Sequence, residues 1–188
     1  MAKKAQSTLV NMLLSLTAIA LVAAAALAAL NSVTEEPIKN AQADKEQKAI
    51  SAVLPQFEQV ENRVIEGRQC YVGLDKAGNV VGVAVKDSSS AGFGGMLKLM
   101  VGFDAEGKVY GYQVLETHET PGLGAKADLW FQKGGKGDIV GRQPKADAAL
   151  KVKKDGGEID AISGSTITSR AFLGIVNEAA KVAAQCNQ

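Results

Sequence analysis

The sequence predicts an α+β fold: a single N-terminal transmembrane helix followed by a domain of antiparallel strands with helices. Three observations predict it. Leu9 to Leu30 is an apolar, Ala-rich run without a charged residue. From about Val64 the hydrophobic period becomes that of strands, and two strand–turn–strand patterns follow. The chain then closes on an amphipathic helix that starts at Thr166. At about 100° per residue, Leu173, Ile175, Val176, Ala179, Ala180, Val182 and Ala183 fall on one half of its wheel. Arg170, Asn177, Glu178, Lys181 and Gln185 fill the other half.

Composition narrows the function. The 188 residues are 46% hydrophobic and 22% charged, which suits one modest domain plus a membrane segment. A net charge of +1 and few aromatics give no nucleic-acid footprint. With one His, two Cys and no Cys-x-x-Cys pair, no metal site, iron–sulfur cluster or c-type haem is expected. Cys70 and Cys186 could form a disulfide outside the cytoplasm or remain two idle thiols; sequence leaves both open.

The Leu9–Leu30 run is broken only by Asn11, Ser15 and Thr17. As a helix it would span about 33 Å, enough to cross a bilayer core. Lys3 and Lys4 place the N-terminus in the cytoplasm and everything after Asn31 outside. Ala26-Leu27-Ala28 has the form of a signal-peptidase site, but the run exceeds the usual signal core and favours a retained anchor. Residues 1–31 are therefore assigned to a cytoplasmic tip and anchor, 32–60 to a stalk helix and 61–188 to an extracytoplasmic domain. Pro37 stands near the start of the stalk helix, Glu35 and Glu36 suit its first turn, and Pro55 ends it.

Within the domain, Gln69–Leu74 and Val80–Val85 flank the turn cluster at 75–79. Met96–Phe103 and Lys108–Leu115 flank a second at 104–107. Ser88 to Gly95 reads as a glycine-rich loop, and Ala149 to Lys153 as a Lys-rich edge strand. His118 to Gly124 is a turn leading to a short helix over Ala125–Gln132, with Trp130 and Phe131 packed inward. His118 itself is a surface or structural residue.

Asp160-Ala161-Ile162-Ser163-Gly164-Ser165-Thr166 opens the last helix. Asp160 and Ser163 have N-cap chemistry, and Gly164 lets backbone approach a ligand. The first-turn N–H groups and the helix dipole favour an anion. Taken alone, this is a capped amphipathic helix, and it lacks the Gly-Lys-Ser/Thr of a nucleotide-triphosphate loop. The spacing Asp-x-x-Ser-Gly-x-Thr, however, resembles the signature of the FMN-binding domain family. In that family a flavin transferase joins FMN to the final Thr, here Thr166, through a phosphoester. The run from Gly156 to Ala171 is similar to the G subunits of Rnf electron-transport complexes, with Ser165 in place of the usual Ala. Glu119-Thr120-Pro121-Gly122-Leu123-Gly124 resembles the second motif of the same family, which lies against the flavin. The resemblance thus implies an FMN site at Thr166, Asp160, Ser163, Gly164 and Ser165, with Thr120, Gly122 and Leu123 facing the cofactor.

No residues form a Ser-His-Asp set or an acidic pair at recognisable spacing, so redox chemistry would come from the cofactor. By resemblance the chain relays electrons in an Rnf complex of the bacterial cytoplasmic membrane, between ferredoxin and NAD, with coupled ion translocation. Its partners would be the other Rnf subunits, membrane lipid and, during maturation, the flavin transferase. NAD and ferredoxin would not bind this chain, which has no Rossmann glycine fingerprint and faces the opposite side. Two alternatives stand beside this: the C subunit of the sodium-translocating NADH–quinone reductase, which is generally longer, and a non-redox anchored binding or assembly module.

Overall fold

The structure, a computed structural model, describes residues 8–145 and 147–187. Lys3 and Lys4 lie outside the described residues. The chain divides into two compact units, one up to Asp44 and one from Lys45 onward.

In the first unit, helix α1 (Leu9–Val53) begins and continues without interruption. It is long and apolar enough to cross a membrane. Leu13, Leu16, Ile19, Val22 and Leu27 are all exposed, so no single stripe faces a core. The hydroxyls of Ser15, Ser32 and Thr34 donate to carbonyls three or four residues earlier, which removes free donors from the helix surface. Pro37 lies inside the helix, where a helix start near it was expected. Its ring removes one backbone hydrogen bond, and exposure lets water serve the freed carbonyl.

The second unit is built on five antiparallel strands in sequence order: β1 (Gln59–Ile65), β2 (Arg68–Leu74), β3 (Val80–Gly92), β4 (Gly95–Asp104) and β5 (Val109–Thr117). Both expected hairpins form. Asp75 fixes the first turn by accepting the Ala77 and Asn79 N–H groups, and Asp104 does the same for Glu106 and Lys108. Strand β1 was not expected. It joins β2 through Glu66-Gly67, both at positive φ, as a two-residue hairpin requires.

Side-chain alternation divides the sheet between two cores. Cys70, Val72, Val83, Val85, Leu99, Val101 and Phe103 pack with helix α3 (Thr166–Cys186), which buries Phe172, Leu173, Ile175, Val176, Ala179, Val182 and Ala183 as its wheel predicts. Tyr71, Ala84 and Met100, from the opposite face, pack with Ala49, Ile50, Val53 and Leu54 at the end of α1. Gly102 permits that approach: a Cβ there would meet the Val53 carbonyl at 1.7 Å. Polar bonds add to the seam, since Glu46 accepts from Tyr71 Oη and, at 2.6 Å, from Lys86 Nζ.

Three local expectations are corrected. Ser88–Gly95 is mostly strand: Ser88 and Ser89 pair with Lys98 and Leu97, leaving a tight turn at Phe93-Gly94. Backbone pairing needs nothing from these side chains, so serines on an exposed stretch do not interrupt it. Ala149–Lys153 is not a strand and makes only a bridge, Val152 to Ile159. The Leu150 N–H and carbonyl are both taken by the Asn177 amide of α3, at 2.8 and 3.0 Å, which leaves them unavailable to a ladder. The helix expected over Ala125–Gln132 is shorter, a 3-10 turn at Gly124–Lys126 followed by α2 (Ala127–Trp130). Phe131 is buried, as expected, and stacks on Phe172 with ring centroids 4.3 Å apart, while Trp130 is only half-buried.

Candidate functional site

The site grows from the start of α3. Ser165 N–H donates to the Ile162 carbonyl at 2.9 Å, closing a turn whose third residue, Gly164, has φ of 79°. A side chain there would be strained, which explains glycine at this position. Ser169 braces the turn from within, donating to the Ser165 carbonyl at 2.9 Å and accepting the Ile162 N–H at 3.0 Å.

The N-cap residue is Ser165, and no side chain among the described residues caps the helix. The expected caps, Asp160 and Ser163, do not perform that role. Asp160 lies too far back along the chain: its carboxylate pairs with Lys153 Nζ at 2.8 Å, and its carbonyl accepts from Trp130 Nε1 at 2.8 Å. Ser163 occupies the exposed arm of the turn. The first-turn N–H groups of α3 are thus left without intrahelical or side-chain partners among the described residues, beside the positive end of the helix dipole.

A second loop meets this turn. Leu123 and Ala125 donate backbone N–H groups to the Thr120 carbonyl, at 3.1 and 3.3 Å. Gly122, with φ of 78°, completes the loop. Leu123 Cδ2 lies 3.4 Å from where a Cβ on Gly164 would stand. Between the two loops is a concavity of about 370 Å³. Of the residues expected from sequence, Thr166, Ser165, Gly164, Thr120 and Leu123 line it. Gly122 borders a neighbouring groove with Leu129 and Trp130, and Asp160 and Ser163 line neither.

Sequence reading missed Phe93, Glu119, Lys154 and Ile167, which line the same concavity. Glu119 stood inside the second motif, but its burial could not be seen. Phe93 was hidden in a stretch read as a flexible loop. Phe93, Leu123 and Ile167 are 72%, 45% and 49% exposed, an apolar rim unusual for isolated surface side chains. Lys154 is the one cation among the lining residues, and neither an ion pair nor a side-chain hydrogen bond engages it among the described residues. The uncapped helix start and a cation without an ion pair favour an anionic group, and the apolar rim offers a surface for an apolar one.

A larger concavity of about 940 Å³ lies elsewhere, between β3, β4 and α3. Its charges mostly satisfy one another: Arg68 pairs with Asp87 at 3.0 Å and Lys181 with Glu178 at 2.6 Å. None of its described lining residues has a buried side-chain polar atom without a partner, and volume alone does not identify a site.

Comparison with known proteins agrees with the sequence resemblance. The FMN-binding domain family matches residues 92–181. The G subunit of the ion-translocating oxidoreductase complex of Methanosarcina acetivorans is 35% identical over 178 residues, covering 90% of this chain and 91% of that protein. The protein of the same name from Shewanella loihica is 35% identical, covering 84% and 81%. The G subunit of the Na(+)-translocating ferredoxin:NAD(+) oxidoreductase complex of Acetobacterium woodii is 33% identical over 188 residues, covering 90% and 88%. The crystal structure of Shewanella oneidensis NqrC superposes with a TM-score of 0.48 at 21% identity, covering 62% of this chain and 61% of that one. From the identity to the three G subunits, which extends over most of the length of each protein, the chain belongs to the G-subunit family of ion-translocating oxidoreductase complexes.

Proposed function

We propose that this chain is a membrane-anchored flavoprotein electron carrier of an Rnf-type complex, with FMN joined through its phosphate to Thr166. The observation that carries the reading is the position of Thr166. It is a hydroxyl residue at the first position of an uncapped helix, opening into the same concavity as Thr120 and Leu123.

Bound FMN supplies reversible electron transfer, and the protein's residues supply position and electrostatics. The N–H groups at the start of α3 and the Lys154 ammonium oppose the phosphate charge. Leu123, Phe93 and Ile167 offer an apolar wall that keeps water from one side of the ring. Thr120 lines the same concavity.

The Leu9–Leu30 part of α1 serves as the anchor, in contact with lipid and with other subunits of the complex, and its exposed apolar surface supports this. Residues 32–60 lead to the domain, which faces the extracytoplasmic side. The Cys70–Cys186 disulfide supports that location, because such bonds persist in oxidising compartments. Ferredoxin and NAD bind other subunits. A flavin transferase reaches Thr166 from the exposed side of the motif, where Ser163 and Gly164 are open to solvent.

The test is attachment. After co-expression with a flavin transferase, Thr166→Ala should lose all flavin fluorescence on a denaturing gel, while Ser165→Ala and Ser163→Ala retain it. Undiminished fluorescence in Thr166→Ala sinks the assignment.

A further inference from the structure

Two buried side-chain oxygens have no hydrogen-bond partner among the described residues, Glu119 Oε1 and Thr168 Oγ1. They lie together. A Cβ on Gly124 would stand 2.3 Å from Glu119 Oε2 and 2.9 Å from Thr168 Oγ1, and one on Gly92 would stand 2.7 Å from Glu119 Oε1. The two glycines make room for a carboxylate wedged between β3 and the second motif loop. Glu119 is 7% exposed and Thr168 0%, yet Glu119 lines the concavity that Thr166 opens into. An unpartnered buried carboxylate is costly, so such a group marks a place where a partner is missing.

The chemistry of that partner is restricted. A carboxylate only accepts, so the partner must donate hydrogen bonds; a phosphate would be repelled. Thr168 belongs to the first turn of α3, two residues beyond Thr166, so the donors sit close to the attachment point rather than at the far, apolar rim. We infer that Glu119, which lines the concavity, with the fully buried Thr168 behind it, forms a subsite for the hydroxyl groups of a polyol phosphoester, the ribityl segment next to the phosphate on Thr166. This rests on the proposed attachment of FMN. It gives the second motif a role separate from the apolar contact of Leu123: Glu119 is a positioning residue that fixes the polyol, and through it the direction in which the ring leaves the phosphate.

The experiment compares thermal unfolding of the full chain in detergent, with and without covalent flavin, prepared with and without the transferase. Wild type should gain stability on loading, because the ligand donates to the Glu119 carboxylate. Glu119→Gln, close in shape to the parent residue, should fold unloaded but lose most of that gain, and Thr168→Val, which removes only the hydroxyl behind Glu119, should lose part of it. The visible circular dichroism of their flavin should shift as the ring loses its fixed orientation. Should both variants keep the full gain and the parent flavin spectrum, Glu119 and Thr168 satisfy each other and the subsite does not exist. A wild-type chain that folds but never acquires flavin would instead overturn the attachment at Thr166, and this inference with it.

Discussion

Trp130 Nε1 donates to the Asp160 carbonyl across 2.8 Å, and this bond ties the helix behind the second motif to the first residue of the attachment motif. The two loops that form the concavity are far apart in sequence, and this bond joins them beside the packing of Phe131 on Phe172. The Lys136 ammonium lies over the indole ring, 5.8 Å from its centroid.

Trp130→Phe keeps an aromatic body but removes the donor. We expect a loss of about 0.5–1.5 kcal/mol, the usual net worth of one hydrogen bond. Urea unfolding followed by circular dichroism should show a lower midpoint with an unchanged slope. A midpoint equal to that of the parent would mean that water replaces the bond and that the loops are held by packing alone.

The seam between the end of α1 and the sheet should respond to acid. Burial is the largest single influence on Glu46 and pushes its pKa up, but hydrogen bonds from Lys86 and Tyr71 and the charge of Lys86 outweigh it, so the net shift is downward. The folded value thus lies below the unfolded one. Its contribution is complete above about pH 5 and is lost as pH falls through the folded pKa. Glu46→Gln should therefore be less stable than wild type near neutrality, by about 1 kcal/mol, and the two curves should converge as the pH falls through the lowered folded value. Parallel curves across that range would show that Glu46 does not titrate with folding.

The disulfide between Cys70 of β2 and Cys186 of α3 closes a loop with a sequence separation of 116. A cross-link over so long a loop restricts the unfolded chain strongly, and values of about 2–4 kcal/mol are typical. Cys70→Ala with Cys186→Ala should lower the unfolding midpoint accordingly, and a reductant should affect wild type but not the double variant. A wild-type protein that reacts fully with a thiol reagent after non-reducing denaturation would show that the bond does not form.

What could be read from the sequence was what depends on local pattern. The α3 wheel, the Asp75 and Asp104 turns and the two motifs each signal themselves within a few residues. What could not be read depends on distant partners. Asn177 occupies the backbone of Leu150 and so denies it a strand; Lys153 and Trp130 draw Asp160 away from the helix it was expected to cap. Strand β1 has six of its seven residues exposed and no alternating apolar face, which left no period to detect. The burial of Glu119 follows from glycines at 92 and 124, brought together only by the hairpin and the loop.

Lys154 gives the last prediction. It lines the concavity with Thr166 but, unlike Lys153 and Arg170, has no acid of its own among the described residues: Asp155 is held by Arg170 through two bonds of 2.7 Å, and Asp160 by Lys153. An exposed lysine without a partner contributes little to folding, so Lys154→Ala should change stability by less than about 0.5 kcal/mol. Its field should matter when a phosphate arrives. An exposed charge pair is worth about 0.2–1 kcal/mol, a factor of roughly 1.5 to 5 in rate or equilibrium. Covalent flavin loading by purified transferase should slow by such a factor in Lys154→Ala, slow further in Lys154→Glu, and stay near wild type in Lys154→Arg. Added salt should narrow the differences, since the charge is exposed and screened. Equal loading of the Glu and Arg variants at low salt would mean that Lys154 does not face the phosphate, and that the helix N-terminus meets it alone.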